Sequence, residues 1–258
     1  MGDQKNIDPN KLRIFNVVMG FFHFIQGTLM VFLSNDFKLP VLTNFLQFDL
    51  ATQSLLPKVE TIFDIPVGIA IASFLFLSAI AHFTISLPGI YEWYVKNLKN
   101  GINYARWYEY TFSSSLMIVV ISMLVGIYDL VALIMIFGLN AMMILFGLMM
   151  ELHNQTTKKT DWTAFIIGCI AGALPWVGVA IHLFGSGEGD YKAPDFVYWI
   201  FFSMFLFFNV FAVNMVLQYK KVGSWKDYLY GEKAYIVLSL VAKSLLAWQV
   251  FAGTLRPE

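Results

Sequence analysis

The chain has 258 residues, of which 58% are hydrophobic, 17% aromatic and only 13% charged. A soluble domain of this size carries roughly 25% charged residues, so an ordinary globular protein is excluded and several membrane spans are indicated. Equal numbers of basic and acidic residues argue against a nucleic-acid partner, and the single cysteine, Cys169, excludes a disulfide framework.

A polar start, MGDQKNIDPNKLR, leads into an apolar run too long for a signal-peptide core, which reads as an uncleaved first helix. Seven spans follow in order: about Leu12–Leu33, Val59–Leu87, Ile102–Ile127, Leu130–His153, Trp162–Phe184, Phe196–Lys220 and Asp227–Thr254. The predicted fold is therefore an all-α membrane protein, a seven-transmembrane-helix bundle forming a single domain over residues 1–258. Only the first connection, Ser34 to Lys58, is long. Its KLPVLTNFLQFDLATQ stretch is too apolar for a solvated linker and alternates roughly, which predicts a β-hairpin on the outer membrane surface or against a neighbour. The tight connection at Tyr128-Asp129 makes spans three and four antiparallel neighbours.

Basic residues are distributed unequally between the two sides. The side holding the amino terminus has Lys5, Lys11, Arg13, Lys96, Lys99, Arg106, Lys158, Lys159, Lys220, Lys221, Lys226 and Lys233. The other side has Lys38, Lys58, Lys192 and Arg256. The positive-inside rule then puts the amino terminus in the cytoplasm and the carboxyl terminus outside, in a multi-pass protein of the cell membrane.

Lys243 is the only charge between Ala234 and Leu255, in the middle of the last span. A charge at that depth costs about 2.5–3.5 kcal/mol on insertion scales and marks a functional site. Snorkelling suits a lysine nearer a helix end. The remaining readings are a buried structural ion pair, or an amine desolvated for Schiff-base chemistry with a carbonyl compound. Glu109, in the third-span stretch YARWYEYTFSSSLM, is the natural partner; Arg106 sits one turn back on nearly the same face and Ser113 one turn on. Ser239, one turn before Lys243, can hydrogen-bond near the amine.

His23 and His82 also lie within spans, with Asn16 and Gln26 on the face of the first. Singly, each reads as a hydrogen-bonded structural residue. Together with Glu109 and Ser239 they indicate a polar cavity on the cytoplasmic half, able to hold a proton. No His/Glu pair has the i,i+4 spacing of a metal site. Glu151 is either an interfacial solvated charge or a proton-pathway residue, and Asn140 an interhelical hydrogen-bond donor. Trp107, Tyr110, Phe205, Phe208 and Trp248 lie on spans able to face a central ligand, or else pack helices and face lipid. Trp176, Trp199 and Trp225 fit an interfacial aromatic belt.

Seven helices with a lysine in the middle of the last resemble a microbial-type rhodopsin, the segments RWYEYTFSS and SLVAKS being similar to that superfamily's counterion and retinal-lysine patterns. Two departures stand out. Where ion pumps carry a second carboxylate four residues before the lysine this chain has Ser239, and where outward proton pumps carry a donor carboxylate it has Val120. The inverted orientation, a glutamate as the sole counterion, His23, His82 and the long first loop together resemble the heliorhodopsins. That resemblance implies all-trans retinal on Lys243, Glu109 as its counterion, and His23, His82 and Ser239 around the Schiff base. Gln26, Asn16, Arg106, Tyr110, Ser114, Asn140 and Trp248 follow as further site residues. It also implies a homodimer, reached through the outer hairpin.

The functional expectation is a light-sensing photoreceptor, not an enzyme, that signals to a cytoplasmic partner. A light-gated ion channel or transporter is the alternative. A pump needs ionisable groups reaching both faces, and neither Glu109 to Asp129 nor Lys243 to Arg256 contains one in between. A membrane enzyme using Lys243 as a catalytic amine has no motif in its favour. The stripe Ala164, Gly168, Gly172 on span five permits close helix approach and is assigned to a dimer contact on spans four and five, the alternative being packing against a neighbour within the same bundle.

Overall fold

The structure is a computed structural model that describes residues 8–185, 187 and 192–256; Lys5 lies outside the described residues. Among the described residues, eight α-helices and one hairpin occur in the order α1 Pro9–Leu33, β1 Lys38–Asp49, β2 Ser54–Pro66, α2 Val67–Thr84, α3 Ile90–Lys99, α4 Tyr104–Leu124, α5 Leu130–Asn154, α6 Thr163–Gly185, α7 Asp195–Tyr219 and α8 Tyr228–Val250. Several helices start at an acid or amide that takes up an otherwise orphaned N–H: Asp8 accepts from Asn10 and Lys11, Asn103 from Arg106, Asp129 from Ala132 and Asp227 from Leu229. Six helices are long and apolar enough to cross a membrane. The seventh member of the bundle, α4, is central and carries the polar residues, with Arg106, Ser113, Ser115 and Ser122 all buried. Neighbouring packing runs α1, α2, α4, α5, α6, and α8 closes the ring against α7 and α1.

The expected hairpin is present, but it reaches further than Lys58. Residues Val59 to Pro66 continue β2 instead of opening the second helix, so α2 starts at Val67. The β-branched and aromatic run VETIFDIP favours strand, and Pro66 supplies the break into the helix. Pairing is antiparallel from Lys38↔Pro66 to Asp49↔Ser54, with a bulge between Val41 and Leu42. There Leu42 N–H donates to the Tyr128 carbonyl at 2.9 Å, strapping the hairpin onto the α4–α5 turn. Leu39, Val41 and Thr43 are buried, whereas the outer half of both strands is exposed.

The connection after α2 holds a short helix, α3, where the sequence reading has only a loop. Tyr91, Tyr94, Val95 and Leu98 form its buried face at helical spacing, opposite Lys96 and Lys99. The interior divides in two. The hairpin half is an apolar core that includes Ile118, Ile121, Leu183, Ile200 and Leu246. The buried ionisable side chains lie in the amino-terminal half and around Lys243.

The small-residue stripe of α6 corrects the expected dimer contact. A Cβ on Gly168 would meet Phe146 Cβ at 3.0 Å, and one on Gly172 would meet Met143 Sδ at 2.1 Å. Both glycines therefore admit α5 of the same bundle and are not free for a second copy. Trp176 likewise is buried against Phe201, Phe205 and Phe208, away from any interfacial belt.

Candidate functional site: a buried lysine between two cavities

On α8, Lys243 is 3% exposed. Its Nζ lies 3.0 Å from Glu109 Oε1 and 2.8 Å from Ser239 Oγ, and 5.0 Å from the centre of the Tyr110 ring. Glu109 Oε1 also accepts from Ser78 Oγ at 2.6 Å. The carboxylate thus has one charged and one neutral donor, which offsets part of the cost of burying it. Ser78 is a member that sequence reasoning missed. The signal was its position four residues before His82, on the same face of α2.

Two cavities meet at this pair. The polar one, about 40 Å³, is lined by Asn16, Ser78, His82, Asn103, Arg106 and Glu109 among others. His82 Nδ1 is 2.9 Å from Asn16 Oδ1, and its ring stacks on the fully buried His23 at a centroid distance of 5.8 Å. The apolar cavity, about 120 Å³, has Lys243 and Ser239 in its wall with Trp107, Tyr110, Phe208 and Phe211. Gly147 belongs to that wall because a Cβ there would meet the Trp107 ring at 2.3 Å. Tyr110 is fixed by donating its hydroxyl to the Tyr235 carbonyl at 2.8 Å. Ser114 also lines the cavity, and Asn140 Nδ2 donates to its Oγ at 2.8 Å and to Ser115 Oγ at 3.0 Å.

Toward the amino-terminal face lies a buried ion cluster. Arg106 reaches Glu151 at 2.5 Å and Glu232 at 3.0 Å, with all three side chains at most 4% exposed. Its guanidinium is sandwiched between the rings of Trp107 and Tyr235, 4.1 and 3.9 Å from their centroids.

A family model for heliorhodopsin matches residues 12–255. The chain belongs to the heliorhodopsin family. Its fold is similar to that of the light-driven proton pump from Leptosphaeria maculans, with a TM-score of 0.65 over 96% of this chain and 97% of that one, at 13% identity. No curated protein matches it. Heliorhodopsins are retinal-binding photoreceptors, and the lining of the apolar cavity fits such a group: mostly apolar and aromatic walls suit a polyene, with a desolvated amine among them.

Several expectations for this heliorhodopsin change once the side chains are placed. Arg106, one turn from Glu109 on α4, takes Glu151 and Glu232 as its ion-pair partners. Glu151 is 1% exposed, so it is no interfacial solvated charge. Phe205 is 44% exposed and packs edge-on to Trp176, leaving the cavity to Phe208. Trp248 is 37% exposed and donates from Nε1 to Gln26 Oε1 at 3.1 Å, so both lie off the two cavities, toward the rim of α1 and α8. Glu232 went unnoticed because it stands four residues into α8, where a charge looks like an ordinary solvated helix start.

Proposed function

We propose that this heliorhodopsin is a light sensor in which all-trans retinal is held on Lys243 as a protonated Schiff base, with Glu109 as its counterion. The observation that carries the reading is the buried Lys243–Glu109 pair in the wall of an apolar cavity with aromatic lining. Retinal there supplies absorption of visible light and a change of shape that reorients the nitrogen on Lys243. Glu109 provides the negative charge, and Ser78 and Ser239 hold the carboxylate and the nitrogen in register through hydrogen bonds of 2.6 and 2.8 Å. The polar cavity, with His82, Asn16 and the adjoining His23, takes up the proton that leaves the nitrogen.

Among the described residues, the apolar core of the hairpin half holds no chain of ionisable groups beyond Lys243, which supports signalling over pumping. The amino-terminal face, rich in lysine, is assigned to the cytoplasm and to a signalling partner there, and the carboxyl terminus to the outside. A homodimer is assigned to the exposed outer half of the hairpin, where Phe48 and Leu55 pair across the strands at 59% and 61% exposure. The reading is tested by adding all-trans retinal to purified apoprotein: a visible band that Lys243→Ala fails to develop is expected, and a variant as coloured as the wild type refutes it.

A further inference from the structure

Arg106 and Glu109 stand three residues apart on α4, and both line the polar cavity. Side chains at that spacing are neighbours on a helix, so an unrestrained guanidinium would be drawn to Glu109 and would compete with Lys243 for it. Instead Arg106 is held by two carboxylates from other helices, Glu151 of α5 and Glu232 of α8. Each of these is itself fixed. Glu151 accepts from Trp107 Nε1 at 2.6 Å, from the Asn103 backbone N–H at 3.0 Å and from the Tyr228 hydroxyl at 3.2 Å. Glu232 accepts from Asn103 Nδ2 at 2.7 Å and Gln218 Nε2 at 3.2 Å. The second negative charge has support because Glu151 meets the N-terminus of α4 and Glu232 lies near that of α8.

We propose that Glu232, together with Glu151, is a positioning residue that draws Arg106 away from Glu109 and so keeps the Glu109 carboxylate undivided for the nitrogen of Lys243. The proposal rests on the retinal reading above. The titratable groups facing Lys243 are Glu109 and Tyr110 from α4, His23 from α1 and His82 from α2. Those around Arg106 are Glu151 from α5, Glu232, Tyr228 and Tyr235 from α8, Tyr219 from α7 and Tyr94 from α3. Without Glu232, the guanidinium swings toward Glu109 and adds a second cation beside Lys243.

The experiment is a pH titration of the retinal-loaded protein, reading where the visible band gives way to a near-ultraviolet one. Glu232→Gln and Glu151→Gln should each lower that midpoint by about one pH unit or more, a tenfold change. Glu232→Asp, which keeps the charge, should stay near the wild type. The double variant Arg106→Gln/Glu232→Gln separates repositioning from a plain field effect. Its midpoint should match that of Arg106→Gln alone, whereas a further fall relative to that single variant overturns the proposal, as does a wild-type midpoint in both carboxylate variants.

Retinal-free protein gives a second reading, through reductive methylation of Lys243 by formaldehyde and a borane followed by mass spectrometry across pH. Reaction should set in at lower pH in Glu232→Gln than in the wild type, and coincident profiles count against the proposal. No variant is needed for the third reading, nitrogen–carbon dipolar recoupling between the Arg106 guanidinium and the Glu109 carboxyl in the wild type. A contact under about 4 Å there overturns the proposal. If the wild type shows no visible band at all, the retinal reading fails, while methylation and recoupling still test Arg106.

Discussion

Lys243 on α8 and Glu109 on α4 form an ion pair of 3.0 Å whose side chains are only 3% and 9% exposed. Removing one member of such a pair costs about 3–5 kcal/mol, because the other charge stays buried without compensation. Lys243→Ala is therefore expected both to abolish retinal attachment and to lower the melting temperature of the apoprotein. Absorption spectra and thermal unfolding in detergent measure the two effects. An acid-stable visible adduct in this variant would remove the central assignment.

Glu109→Gln keeps the shape and the Ser78 contact but takes away the anion. The nitrogen on Lys243 should then lose its proton at neutral pH, and the pigment should absorb in the near ultraviolet in chloride-free buffer. An unchanged visible spectrum there would mean that another group serves as counterion.

Gly147→Ala tests the cavity wall. The added methyl would overlap the Trp107 ring, which lines the cavity and must shift to make room. Overpacking of this kind costs about 1–3 kcal/mol, and a smaller cavity should lower the yield of pigment per mole of protein. Titrating the apoprotein with retinal measures that yield, and a wild-type value would show that the ring yields elsewhere.

Gly172→Leu should fail inside the protomer, since Met143 of α5 occupies the space a side chain would need. Loss of pigment and of thermal stability is expected, without a selective loss of dimer. Phe48→Asp with Leu55→Asp should do the opposite, giving coloured monomers. Mass measurement in mild detergent with a parallel spectrum decides both, and hairpin variants that stay dimeric move the contact elsewhere.

Illuminated vesicles should develop no sustained current or pH change. The core from Ile118 and Ile121 across to Leu246 and Val250 is apolar, and among the described residues it holds no ionisable side chain to relay a proton. A steady photocurrent that vanishes in Lys243→Ala would promote the channel reading.

By itself, the sequence determined the bundle and the two residues that matter most to its site. Apolar runs of span length force helices in a bilayer, since every backbone polar group must be satisfied internally. Lys243 is the only charge between Ala234 and Leu255 and Glu109 the only acid between Lys99 and Asp129, so the two were legible as a pair from the sequence. The hairpin was legible in kind but not in extent, because Val59 to Pro66 is as apolar as a helix start and only strand pairing reveals its state. Tertiary structure alone decided the rest. Arg106 could turn to Glu109 or away, and the choice was made by Glu151 and Glu232, which come from two other helices and are far from it in the chain. Likewise Gly168 and Gly172 present the same small-residue pattern to an internal or an external neighbour. Which helix fills that groove depends on how the whole ring closes, and periodicity along one helix carries no information about that.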